Sequence, residues 1–213
     1  MTRVRTYGDP CAAARALDLV GERWALMIVR ELLFGPKRYS DLQNGLPNAS
    51  PTVLSQRLRD LEEGEVIQRR KLGPPTRAWV YELTEWGHQL EPILVHLGRW
   101  GRRSASKQTT MTLGADSLML ALQSHLEPAR LRGLDATFLV DLGEDLFTLR
   151  VTDGGLVVQR GEPARWDVAV RTDTATFKAL VIGGHPTSEI GDRLETTGDR
   201  ETLQRLLDAL IAA

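Results

Sequence analysis

Four segments in the first third of the chain place apolar residues at α-helical spacing, at residues 11–20, 24–34, 39–46 and 50–63. The second of these segments is apolar on nearly every side, which predicts the central buried helix. Gly21 interrupts the pattern after the first segment, and Gly35 with Pro36 interrupts it after the second. The pattern therefore predicts four consecutive helices separated by short turns.

The fourth segment predicts a helix with two unlike sides. Ser50 suits the cap position, and Pro51 suits the first helical position because the N–H that it lacks has no helical partner there. The residues expected to pack into the core are Val53, Leu54, Leu58 and Leu61. The polar side chains expected on the opposite side can reach base edges and phosphates, and they are Thr52, Ser55, Gln56, Arg57 and Arg59.

A basic β-hairpin is predicted directly after this helix, with strands at about residues 66–72 and 77–83. Taken alone, the preceding helix could be a surface helix whose charged side is merely solvated. A short helix that Ser40 is expected to cap, then the Ser50–Pro51 helix start, then a basic hairpin instead indicate a winged helix-turn-helix. A last helix is predicted at residues 85–103, with a kink or restart at Pro92.

The two halves of the chain differ in charge. Residues 1–107 hold 17 Lys and Arg against 12 Asp and Glu, whereas residues 108–213 hold 10 against 16. The basic half suits phosphate binding, and DNA would repel the acidic half. We therefore expect a DNA-binding domain at 1–103, a polar linker at 104–111 and a second domain at 112–213.

The second half predicts an α+β domain. An amphipathic helix is expected at 115–126, and strand-like runs separated by glycine-containing turns follow at 136–142, 146–152, 156–160 and 166–172. Short turns between such runs predict an antiparallel meander, with helices packed on it at 174–182 and 200–210. The expected fold class is thus α+β: a winged helix-turn-helix followed by an antiparallel sheet packed with helices.

Nothing in the sequence predicts an enzyme. The four histidines are scattered, and the single cysteine forms no metal-binding spacing with them. We expect no cofactor and no metal. There is no apolar run of the roughly 20 residues that span a bilayer, and no apparent signal peptide, so a cytoplasmic protein is expected.

A larger set of residues carries a family resemblance: the runs 14–18, 30–39, 54–62 and 81–84, with Cys11, Gly21, Trp24 and Gly87. In these positions residues 11–103 resemble the HxlR family of bacterial winged helix-turn-helix regulators. The resemblance implies a homodimer in which the N-terminal segment and the last helix pack across a two-fold axis. Each recognition helix would then enter a major groove of a palindromic operator on double-stranded DNA.

The predicted DNA contacts are Lys37, Arg38, Ser40, Ser50, Thr52, Ser55, Gln56, Arg57, Arg59 and Arg77. Among them, Thr52, Gln56 and Arg57 are expected to read bases, since glutamine suits adenine and arginine suits guanine. Those at the start of the helix are expected to contact phosphates, and Arg77 to enter the minor groove. The alternative for each charged residue is a solvated side chain or a salt bridge to the cluster of Glu62, Glu63 and Glu65.

Cys11 lies where some members of the HxlR family sense electrophiles or oxidants through a cysteine. Sensing requires an accessible thiolate. The alternative is a packed, inert thiol among alanines, with Arg15 the only obvious neighbour that would lower its pKa.

The runs 149–155, 166–170, 180–184 and 194–199 make the second half similar to the sterol carrier protein family. That family often encloses an apolar tunnel for lipids, so we expect an apolar small-molecule effector. The side chains expected to line its cavity are Phe138, Val140, Phe147, Leu149, Val151, Trp166, Val168 and Phe177. The alternative is that these apolar faces fill one another as a core. A cavity of about 300 Å³ or more would favour an effector site, and its absence would favour a packed core.

The sequence thus predicts a homodimeric, sequence-specific transcriptional regulator, with repression the expected sign and an apolar effector as the expected control. Two alternatives remain open. In one, the second domain serves only dimerisation or partner contact. In the other, the protein is a lipid carrier or a small-molecule-binding enzyme whose basic half merely docks on a surface.

Overall fold

The computed structural model describes residues 6–102, 104, 113–152 and 155–210. Contacts divide the chain into two compact units, Met1–Leu94 and Val95–Ala213. Apart from residue 104, the predicted linker at 104–111 lies outside the described residues. The bounds of the predicted domains therefore remain a prediction.

The first unit contains the predicted helices and hairpin. Its elements are α1 (Ala12–Val20), α2 (Ala25–Leu32), α3 (Tyr39–Gly45), α4 (Pro51–Glu63), β1 (Ile67–Lys71), β2 (Trp79–Leu83) and α5 (Glu85–His88). A further helix, α6 (Glu91–Gly101), begins in this unit and ends in the second. The last helix predicted at 85–103 is therefore two helices. The second begins beside Pro92, where a kink or restart was predicted.

The core of the first unit lies between α2 and α4. Ile28 and Val29 on α2 are fully buried, and the buried residues of α4 are Leu54, Leu58 and Leu61. Val53 was predicted to join them, but it is 37% exposed. That prediction was wrong because Val53 lies about a quarter of a turn away from the line of the leucines.

The start of α3 differs from the prediction. The residue before its first turn is Arg38, and the Asp41 carboxylate accepts a hydrogen bond from the Arg38 backbone N–H at 2.9 Å. Ser40 lies inside the helix, so its predicted capping role was wrong. A carboxylate on the third residue of a helix can accept a hydrogen bond from the backbone N–H of the residue before the helix. That N–H would otherwise lack a partner.

A buried carboxylate ties α2 to α3. The Glu31 side chain, only 6% exposed, accepts hydrogen bonds from Lys37 Nζ at 2.9 Å and Arg30 Nη2 at 2.7 Å. Gly45, the last residue of α3, leaves room for it, because a Cβ there would lie 2.5 Å from Glu31 Oε2. Glu31 thus contacts both ends of the α3 segment and positions the helix-turn-helix.

The second unit is built on a five-stranded sheet. Its elements are α7 (Ala115–His125), β3 (Ala136–Asp141), β4 (Leu146–Thr152), β5 (Gly155–Arg160), β6 (Val168–Arg171), α8 (Thr174–Val181), α9 (Thr187–Ile190), β7 (Glu195–Gly198) and α10 (Arg200–Asp208). The strand order is β5-β4-β3-β6-β7. The α+β class is confirmed.

The predicted antiparallel meander was wrong for β6. This strand pairs in parallel with β3, Phe138 facing Val168 and Val140 facing Val170. The apolar alternation of a strand is the same whichever neighbour it pairs with, so periodicity alone could not choose the partner. Residues 161–167 are long enough to cross the sheet, since an extended chain spans about 3.3 Å per residue and strands lie about 4.8 Å apart.

None of the helices among the described residues has both the length and the apolar character that crossing a membrane requires.

Replacing Glu31 with glutamine should destabilise the first unit. The substitution removes the negative charge that two cations share in a largely buried site, so we expect a loss of about 1–3 kcal/mol in the free energy of unfolding. Urea unfolding measures the loss, and hydrogen exchange of peptides from α2 and α3 locates it. The matched control is Glu62→Gln, which makes the same change on an exposed residue of α4. Equal stability of the two variants would contradict the positioning role of Glu31.

Candidate nucleic-acid interface

The fourth helix begins as predicted. Ser50 Oγ accepts a hydrogen bond from the backbone N–H of Val53 at 3.3 Å, and Pro51 is the first helical residue. Both features are local, so they define the start of the helix without help from the rest of the fold. The leucines then determine which side of the helix faces outward.

The outward side of α4 carries Thr52, Gln56 and Arg59. An α-helix turns by about 100° per residue, which places these three side chains opposite the buried leucines. Thr52 and Arg59 are exposed, and Gln56 is half-buried. All three lie on the side on which they were predicted.

Arg57 lies on a different side of the helix. Its guanidinium pairs with Asp60 at 2.7 Å and lies 3.8 Å from Glu22, and the side chain is 21% exposed. Its predicted place on the outward side was wrong, because position 57 is about a sixth of a turn from the leucines. Arg57 therefore links α4 to the turn between α1 and α2.

Asp60 connects Arg57 to the outward side. Its carboxylate forms an ion pair with Arg57 and accepts a hydrogen bond from Gln56 Nε2, each at 2.7 Å. The Gln56 Oε1 atom in turn accepts from Arg59 Nη2 at 2.7 Å. Sequence reasoning missed Asp60, although its spacing from Arg57 and Gln56, three and four residues, is the spacing at which helical side chains meet.

Hydrogen bonds between α3 and α4 set the angle of the helix-turn-helix. Ser55 Oγ donates to the Tyr39 hydroxyl at 3.3 Å, and that hydroxyl donates to the backbone carbonyl of Pro51 at 3.1 Å. Gln43 Nε2 donates to the carbonyl of Ala49 at 2.9 Å. Ser55, predicted to contact DNA, therefore has a role in holding the two helices together.

The residues before and at the start of α3 divide into two groups. Lys37 is engaged by the buried Glu31, and its side chain is 16% exposed. Arg38 and Ser40 are exposed. The structure thus leaves Arg38 far more accessible to a phosphate than Lys37.

The hairpin presents a row of cations on aromatic rings. The guanidinium of Arg69 lies 4.6 Å from the centre of the Trp79 ring, and Lys71 Nζ lies 6.0 Å from it. Trp79 is 49% exposed. Such stacking holds a cation in place while its donors stay available. Arg77 is exposed at the tip of the hairpin.

Arg70 points to the other side of the hairpin and is paired. It donates two hydrogen bonds to the Glu82 carboxylate, at 2.7 Å and 2.9 Å. These bonds hold the pKa of Glu82 below its ordinary value. Arg70 thus forms a salt bridge, but with Glu82 on the partner strand and not with the predicted cluster of Glu62, Glu63 and Glu65.

Comparison with known proteins gives the family of the first half. Residues 19–109 match the family described as HxlR-like helix-turn-helix. The HTH-type transcriptional regulator YvaP of Bacillus subtilis is 38% identical over 86 residues, covering 40% of this chain and 80% of YvaP. The HTH-type transcriptional regulator YodB of the same bacterium is 33% identical over 85 residues, covering 40% of this chain and 76% of YodB. The chain belongs to the HxlR-like helix-turn-helix family.

The second half of this HxlR-like protein matches another family. Residues 116–210 match the SCP-2 sterol transfer family, so both resemblances expected from the sequence are confirmed. Among solved structures, the reduced form of the regulator YodB from B. subtilis is 29% identical, with a TM-score of 0.41, over 46% of this chain and 98% of that chain. The relatives named above support a transcriptional regulator of the helix-turn-helix type.

The apolar interior of the sterol-carrier-like unit is closely packed. The cavity between the sheet and the helices has a free volume of about 20 Å³, and four of the predicted effector-binding residues line it: Phe138, Val140, Leu149 and Phe177. Phe147, Val151 and Val168 are fully buried in the core, and Trp166 is 37% exposed. This volume is far below the roughly 300 Å³ that a small molecule needs, so an effector site formed by these side chains stays a prediction.

Cys11 is exposed at the start of α1. The nearby backbone N–H groups of Ala13 and Ala14 at the start of the helix lower the pKa of its thiol. The expected packing of Cys11 is therefore wrong, and the neighbours that lower the pKa of its thiol are backbone amides rather than Arg15. The described residues contain no group of three or more His, Cys, Asp and Glu side chains placed to hold a metal ion.

Replacing Arg57 with alanine should affect stability and leave the preferred bases unchanged. The variant loses the ion pairs to Asp60 and Glu22, which predicts a fall of about 1 kcal/mol in the free energy of unfolding. Urea unfolding and selection of duplexes from a randomised pool measure the two properties. A changed base at one operator position would show instead that Arg57 reads DNA directly.

Proposed function

We propose that this protein is a sequence-specific DNA-binding transcriptional regulator that acts as a homodimer on a palindromic operator. The observation that carries the proposal is the outward side of α4, where Thr52 and Arg59 present hydroxyl and guanidinium groups, with Gln56 between them, opposite a buried leucine side. These groups match the donors and acceptors of base edges in the major groove. The helix follows α3 in the order that places a recognition helix in that groove.

Exposed cations on both sides of α4 supply the phosphate contacts of the proposal. Arg38 precedes α3, and Arg69, Lys71 and Arg77 lie on the hairpin. Ser40 and the helix start at Ser50 add hydroxyl and backbone donors, while Arg77 is proposed to enter the minor groove. Lys37, Ser55 and Arg57 are left out of the proposed contact set because each is engaged within the first unit.

An apolar stripe on α6 supports the homodimer. Ile93, Leu97 and Trp100 recur at helical spacing and are 53%, 42% and 73% exposed. A contiguous exposed apolar stripe of this kind is characteristic of an interaction surface. Packing of two copies of α6 would pair two recognition helices for the two half-sites of a palindrome.

Repression is the proposed sign of regulation, and the second unit is proposed to serve dimerisation or contact with a partner. Its closed apolar core supports this role over that of a lipid carrier, and the net negative charge of residues 108–213 keeps it off DNA. Control by an apolar effector would first require this core to open, so we leave it out of the proposal.

A binding assay with a fluorescent duplex from the chain's own upstream region tests the proposed function. We expect saturable binding by two chains per duplex, about 10³-fold or more tighter than to unrelated duplex. Arg59→Ala should weaken this binding, whereas Arg132→Ala, with the same charge loss on an exposed residue of the second unit, should not. Binding to a set of genomic duplexes no tighter than to unrelated DNA would overturn the proposal.

Redox control through Cys11 is a second candidate function, favoured by its exposure and by the lowered pKa of its thiol. Diamide should release the protein from its duplex, and Cys11→Ser should bind equally well with and without diamide. The same duplex assay measures both. Release of the Cys11→Ser protein by diamide would contradict the role of Cys11, because this is the chain's single cysteine.

A further inference from the structure

The outward side of α4 contains a connected chain of polar groups. Asp60 accepts from Gln56 Nε2 at 2.7 Å, and Gln56 Oε1 accepts from Arg59 Nη2 at 2.7 Å. On its other side, the Asp60 carboxylate pairs with Arg57 at 2.7 Å. Both functional ends of the Gln56 amide are therefore engaged by neighbours on the same helix.

This arrangement constrains what each side chain can read. A glutamine reads adenine by offering its amide oxygen and nitrogen side by side, and here each already has a hydrogen-bond partner. Only Nη2 of Arg59 is engaged by a described residue, through one of its two N–H groups, so the guanidinium edge that does not face Gln56 keeps two parallel N–H groups to donate. Two donors of a planar guanidinium match the O6 and N7 acceptors of guanine.

We propose that Asp60 is a positioning residue that acts through Gln56 to hold Arg59 for reading a guanine in each half-site. The proposal rests on the DNA-binding function proposed above and names the base and the supporting residues. Asp60 does not touch the base. Its carboxylate fixes the Gln56 amide, and the amide oxygen fixes the guanidinium.

Preorganisation gives the expected size of the effect. Ordering one long side chain on binding weakens affinity by about 2- to 10-fold, and an arginine already held in place avoids that loss. Arg57 holds Asp60 from the side facing the α1–α2 turn, so the chain of contacts begins at a residue anchored to the fold.

Selection of duplexes from a randomised pool by the full-length protein tests the proposal. The wild-type protein should prefer guanine at one position of each half-site, and Arg59→Ala should lower that preference by about 10-fold or more. Asp60→Ala should lower the preference by about 2- to 10-fold at the same position. Asp60→Asn, which keeps an oxygen able to accept from Gln56, should restore most of it.

Two controls separate positioning from charge and from folding. Glu63→Ala removes the same charge from an exposed residue of the same helix, and it should leave every base preference unchanged. In the Arg59→Ala background, Asp60→Ala should have no further effect on base preference. Thermal unfolding of each variant verifies that it is folded at the assay temperature.

The possible failures are distinguishable. A wild-type protein that selects no sequence would contradict the proposed function itself. A selected sequence whose guanine preference survives Arg59→Ala or Asp60→Ala would overturn this inference and leave the proposed function standing. An Asp60→Ala protein that binds all duplexes more weakly by the same factor would show a structural role for Asp60 and would also overturn the inference.

Discussion

The burial of three leucines on one side of α4 sets the geometry of the first unit's outward surface. Leu54, Leu58 and Leu61 are at most 1% exposed, and burying each side chain contributes about 1.5–3 kcal/mol. A rotation of the helix that exposed one of them would cost more than a surface hydrogen bond supplies, about 0.5–1.5 kcal/mol. The apolar contacts therefore determine the rotation of α4 about its axis. That rotation in turn determines which polar side chains face outward.

Within this frame, weaker polar contacts choose the conformations of the side chains. A contact between helical residues three or four apart contributes only about 0.2–0.5 kcal/mol, which is too little to select a fold. It is enough to favour one rotamer of an exposed side chain over others. Asp60 and Gln56 select side-chain rotamers in this way. Glu31 instead helps to determine how the helices pack, because its carboxylate is buried between α2 and α3.

The second unit follows the same hierarchy with a different result. Its sheet places Phe138, Val140 and Leu149 against helices whose apolar side chains fill the space between them. Close packing is favourable because each void removes contacts from its lining. A chain can therefore resemble a lipid-binding family without having the cavity of that family. The cavity depends on side-chain volumes at the core positions, and here those volumes close it.

Local signals along the chain were enough to predict several features of the fold. The start of α4 depends on Ser50 and Pro51 alone, and the break before α6 depends on Pro92, so neighbouring residues carried all the necessary information. The uneven charge of the two halves is a property of composition. The predicted outward position of Gln56 and Arg59 followed from helical periodicity, because the leucine side was unambiguous.

Other features depended on contacts between residues far apart in the chain. Arg57 is turned towards Glu22, which lies 35 positions earlier, and β6 pairs with β3 rather than with its predecessor. The free volume left by Phe138 and Phe177 is a sum over several elements. The spacing of apolar residues, every 3.6 residues in a helix or every 2 in a strand, shows which side of the element is apolar. It does not show which other element covers that side, or how completely. Packing supplies that information, because steric fit and pairing energy are properties of two surfaces together.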